Sequence, residues 1–147
     1  MKNTMNIKNQ QNGFTLAEML IVVLILAILA TIAYPSYEKF VRDTRIENAR
    51  ADLIYNAQQL ERYYIQNRTF VGFNNLEDDN RFFTIQFANG SPSADSFTLQ
   101  ANPIPDTNAN EQRVLQLNDS NILVICNSAN DISATGVPSD TGCQIQQ

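Results

Sequence analysis

The chain has 147 residues, enough for one domain and an additional segment, and its 15 acidic against 10 basic residues leave a net charge of -5. Histidine is absent, which removes the commonest general base and a common metal ligand. No glycine-rich phosphate loop or nucleophile elbow is visible either, so neither an enzyme nor a bound cofactor is expected.

Residues 1–13, MKNTMNIKNQQNG, are polar and carry no apolar period, so they are read as a leader outside the fold. An apolar run, GFTLAEMLIVVLILAILATIA, then extends from Gly13 to Ala33. The 21 residues from Phe14 to Tyr34 span roughly 31 Å as a helix, close to the thickness of a bilayer's hydrocarbon core. One acid interrupts this run, Glu18. A carboxylate inside such a helix costs about 2.5 to 3.5 kcal/mol near the middle and less near an end, and such residues usually have partners. Glu18 is therefore expected to be functional.

A cleaved secretory signal is the plain alternative, with Lys2 and Lys8 before the apolar run and Thr31-Ile32-Ala33 as a small-x-small site. Against it stand the Asn- and Gln-rich leader, the acid at the start of the run, and a helical period that continues for some thirty residues beyond it.

The sequence Gly13-Phe14-Thr15-Leu16-Ala17-Glu18, followed by the apolar helix and Tyr34-Pro35-Ser36-Tyr37, resembles the amino terminus of a type IV prepilin. The resemblance implies cleavage between Gly13 and Phe14 by prepilin peptidase and N-methylation of Phe14. It also implies that Glu18 pairs with the terminal amine of an adjacent subunit during assembly. A buried charge left without its partner costs several kcal/mol, so such a pair can fix subunit register. Loss of the leader removes Lys2 and Lys8 and leaves 8 basic against 15 acidic residues, a net charge of -7. The two lysines hold the leader in the cytoplasm by the positive-inside bias, so the rest faces the periplasm. The implied location is the inner membrane, single-pass with a periplasmic head, and then the extracellular pilus. The implied partners are the major pilin and other pilin subunits, the peptidase, the inner-membrane assembly machinery and the same pilin on neighbouring cells. DNA is not expected among them.

Pro35 is expected to break or kink the helix, because it lacks a donor and clashes with the preceding turn. Beyond it Ile46, Ala49, Leu53, Ala57, Leu60 and Tyr64 recur at intervals of three and four, which predicts an amphipathic continuation ending near Gln66 or Asn67. Glu38 with Arg42, and Lys39 with Asp43, are spaced to pair on wet faces. The segment 52–64 followed by Asn67-Arg68-Thr69-Phe70 resembles the pilin subgroup that includes the neisserial minor pilins. Tyr63 and Tyr64 are expected to pack between helix and sheet.

Residues 68–82 are the expected αβ-loop, with an acidic knot at Glu77-Asp78-Asp79 whose spacing is not that of an EF-hand, so no metal is assigned. Alternating runs at Phe83–Phe87 and Phe97–Ala101, then Arg113–Leu117 and Asn121–Cys126, predict four antiparallel strands. Pro103 and Pro105 are expected to keep their loop out of the sheet. Cys126 and Cys143 are the only cysteines, and in an oxidising periplasm a disulfide is the natural pairing. In pilins such a bridge bounds the D-region, a surface through which subunits meet other molecules.

The expected fold class is α+β, a type IV pilin fold. Its long N-terminal helix is transmembrane in its first half and packs on a four-stranded antiparallel sheet, with a disulfide-bounded D-region at the C-terminus. The expected segments are a leader over 1–13, a membrane or filament-core half-helix over 14–35 and an amphipathic half over 36–67. The αβ-loop follows over 68–82, the sheet over 83–126, and the D-region with the tail over 127–147. The expected function is that of a minor pilin promoting bacterial aggregation and adhesion. The rivals are a DNA-uptake minor pilin, the major pilin and a type II secretion pseudopilin. Residues 69–147 hold two arginines against nine acids, a balance that repels phosphates.

Overall fold

A computed structural model describes residues 13–132, 138–139 and 141–146. Most of the expected leader and residues 133–137, 140 and 147 of the expected D-region lie outside the described residues. The chain divides into two compact units, residues 1–40 and 41–147. One helix, α1 (Leu16–Asn67), occupies the first unit and enters the second.

Within the first unit every residue from 13 to 40 is exposed, the large apolar ones included. Among the described residues α1 alone is long and apolar enough to cross a membrane. An uncovered apolar surface of this length is stable in lipid or against other subunits, not in water. Of the expected break or kink at Pro35, a break does not occur, since α1 passes through it without interruption. Proline removes one backbone bond, and the turns on either side remain helical. The hydroxyls of Thr31 and Ser36 donate to the carbonyls of Ile28 and Ile32 in the same stretch.

In the second unit the strands are β1 (Phe83–Phe87), β2 (Thr98–Pro103), β3 (Val114–Asn118), β4 (Leu123–Cys126) and β5 (Cys143–Gln146). They form one antiparallel sheet in the order β1-β2-β3-β4-β5. The sheet thus has five strands, not the expected four. The extra one, β5, is placed by its pairing with β4 rather than by any pattern of its own. Pro103 belongs to β2 opposite Phe83 and does not stay out of the sheet; a proline is tolerated there because it ends the strand.

The core lies between the helix and one sheet face. Ile46, Ala49, Leu53, Ala57 and Leu60 pack against Phe83, Ile85, Leu99, Ala101, Leu115, Leu117 and Leu123. The helix contributes residues three and four apart and the strands contribute alternate residues, while Val114 and Cys126 are buried on the opposite face of β3 and β4.

Candidate functional site

At the amino-terminal end Gly13 is exposed, and a Cβ there would meet nothing within 4 Å. The chain's own packing therefore places no demand for glycine at this position. Phe14 is 81% exposed. Glu18 has a partner that the sequence reading missed. Thr15 donates to Glu18 Oε2 from its backbone N–H and from its hydroxyl, each at 2.9 Å, and Glu18 N–H donates to Thr15 Oγ1 at 3.2 Å. This is a reciprocal capping box, and Thr15-x-x-Glu18 is its sequence signature.

The αβ-loop is fastened in three places. Tyr64 stacks on Phe70 at 4.5 Å, Phe70 meets Phe97 edge-on at 4.9 Å, and Tyr63 meets Phe73 at 5.4 Å. The buried Asn56 side chain takes the Glu77 N–H at 2.8 Å and donates to the Glu77 carbonyl at 2.9 Å. Asn80 Oδ1 accepts from the N–H groups of Phe82 and Phe83, and Asp78 Oδ1 accepts from Ile85 N–H at 2.7 Å. Asp78 and Asn80 therefore fix the loop and take the Phe83 and Ile85 N–H groups on the free edge of β1. No group of three or more metal-ligating carboxylates, cysteines or histidines occurs among the described residues. An open cleft of about 610 Å³ lies beside the loop, lined by Asp52, Tyr55, Asp79, Asn80, Arg81 and Phe82 among others.

The loop between β2 and β3 is pinned by charge. Arg113 donates to Glu111 Oε2 at 2.7 Å and to Asp43 Oδ1 at 3.0 Å, so Asp43 pairs with Arg113 and not with Lys39. The Glu111 side chain is 4% exposed. Burial raises its pKa, but hydrogen bonds from the Arg113 side chain and backbone outweigh this, and the net direction is downward. Arg113 is shifted upward, chiefly by its bond to Glu111. Arg45 donates to Asn108 at 3.0 Å and lies 4.1 Å over the Phe82 ring.

At the C-terminal end Cys126 and Cys143 are bonded and stand directly opposite each other on β4 and β5. Asp131 organises the described part of the intervening segment. Its carboxylate accepts from Ser128 N–H and hydroxyl, and its carbonyl accepts from Ser139 N–H. A Cβ at Gly142 would collide with the Asp131 side chain, so this close approach requires glycine.

Residues 8–34 match the prokaryotic N-terminal methylation motif. Residues 35–128, more than half of the chain, match a family described as type IV minor pilin ComP, DNA uptake sequence receptor. The chain belongs to the ComP family of type IV minor pilins. Among solved structures this minor pilin is similar to the non-core minor pilin PilV of Neisseria meningitidis. The TM-score is 0.57 at 36% identity, over 61% of this chain and 91% of that one. A second similar structure is the minor DNA-uptake pilin ComP of Neisseria subflava, with a TM-score of 0.49 at 21% identity, over 69% of this chain and 95% of that one. No curated protein matches the minor pilin by sequence.

Proposed function

We propose that this minor pilin is inserted into pili at low copy and promotes aggregation between cells and adhesion through its head. Prepilin peptidase cuts between Gly13 and Phe14, the new Phe14 amine is methylated, and Glu18 exchanges its Thr15 partner for the amine of an adjacent subunit. Before assembly the subunit sits in the inner membrane with its head in the periplasm.

The observation that carries the reading is the charge of the head. Residues 69–147 hold two arginines against nine acids, and one of the two, Arg113, is taken up by Glu111 and Asp43. A phosphate backbone is bound by neutralising it with several cations; this part of the head has few to offer, and those of the helix and its end, Arg42, Arg45, Arg50, Arg62 and Arg68, are interleaved with acids. The stretch Ser96-Phe97-Thr98-Leu99-Gln100-Ala101-Asn102-Pro103, the Leu60-Glu61-Arg62-Tyr63-Tyr64 helix end and the two-cysteine tail resemble the neisserial minor pilin PilX, also called PilL.

DNA uptake is the second reading, favoured by the family match, whose description names a DNA uptake sequence receptor. A strain lacking the chain, with and without complementation, separates the two. Aggregation and host-cell adherence should fall while uptake of DNA stays at the wild-type level. Loss of uptake with normal aggregation would reverse the assignment.

A further inference from the structure

None of the residues in the five strands is charged, in a chain of which 17% is charged. The helix-facing side is core and is expected to be neutral. The opposite side is the unusual one. Across β1 to β3 it carries Thr84, Gln86, Thr98, Gln100, Asn102, Gln116 and Asn118 beside one buried apolar residue, Val114, and across β4 and β5 it turns apolar, with Val124, Cys126, Cys143 and the exposed Ile145.

Register lines three of the amides up across neighbouring strands, with Gln86 opposite Gln100 and Gln100 opposite Gln116. At a strand spacing of about 4.8 Å the row extends about 10 Å. Gln116 is buried and donates to Gln100 Oε1 at 3.4 Å, while Gln100 Nε2 donates to Asn102 Oδ1 at 2.8 Å. The row is thus oriented from its buried end. At its open end Gln86 is exposed, and its amide and the Thr84 hydroxyl bond to none of the described residues.

We infer that the β1–β3 part of this face is a binding surface for a neutral oligosaccharide. The inference rests on the adhesive reading above and names its ligand class. Amide and hydroxyl side chains both donate and accept, which matches a ligand whose hydroxyls do the same. A polyanion finds no cation here, a cationic partner is better met by the acidic loops, and an apolar partner would leave the amides desolvated and unpaired.

The test uses filaments sheared from cells carrying the wild-type chain, no chain, Gln86→Glu or Thr84→Glu. They are overlaid on immobilised neutral hexose and N-acetylhexosamine oligosaccharides and on sialylated and sulfated ones, with incorporation checked by immunoblot. Wild-type filaments should bind the neutral set, filaments without the chain should not, and either variant should lower binding at least fivefold at equal incorporation. The inference is overturned if wild-type filaments bind no better than those lacking the chain, if only charged glycans are bound, or if both variants bind as wild type. Aggregation lost in the variants without any glycan binding would mean that the face pairs with a second copy, which also overturns it. Aggregation and adherence measured in the same strains keep the two proposals apart. If deleting the chain changes neither, the adhesive function fails; if deletion abolishes them but the variants bind glycans normally, only the ligand assignment fails.

Discussion

The two loops that flank the sheet are held in opposite ways. The αβ-loop before β1 is tied non-covalently to the helix and to β1, through Asn56, Asn80, Asp78 and the aromatic contacts of Phe70 and Phe73. The described part of the segment before β5 is bonded mostly to itself around Asp131, and the disulfide joins its two ends. The first loop is therefore part of the packed head. The second depends on one covalent bond.

The sharpest way to break this contrast is to remove both cysteines. Cys126→Ala with Cys143→Ala opens a loop of 16 intervening residues and should cost about 3 kcal/mol in the chain-entropy description. Hydrogen exchange should accelerate across β4 and β5 while the amides of residues 70–85 keep their protection; equal acceleration in both loops would refute the contrast. Asn56→Ala works from the other side. It strands the N–H and carbonyl of Glu77 and should cost about 1–3 kcal/mol, seen as a lower urea midpoint and faster exchange at residues 75–80 with β5 unaffected. Asp78→Ala is smaller, about 1 kcal/mol, and should release the Ile85 N–H in particular. The smallest expected effect is with pH. Because the Glu111 carboxyl is shifted below its ordinary value of 4.5, its contribution is complete above that value and is lost as pH falls through the lower folded one. Urea midpoints followed from pH 6 downward should decline less steeply in Glu111→Gln than in wild type.

Much of the head was legible because it is periodic. The helix stripe from Ile46 to Leu60 is buried, and β1 has the bounds that its alternation predicts. The fifth strand was not legible, since Cys143–Gln146 is too short to show a pattern and forms only by pairing with a strand already in place. Asn56 sits three residues after Leu53 on the apolar stripe, so its burial could have been foreseen. Its role could not, because its partner lies 21 residues away in an irregular loop. Arg113 and Asp43 are 70 residues apart for the same reason. At the amino terminus the capping box between Thr15 and Glu18 is readable from its spacing alone.

Quantitative mass spectrometry of sheared surface filaments tests the assembled minor-pilin reading most directly. The expected result is a peptide beginning at N-methylated Phe14, present in much smaller amount than the principal pilin. A chain that dominates the fraction, or one found processed in the inner membrane but absent from filaments, would contradict it.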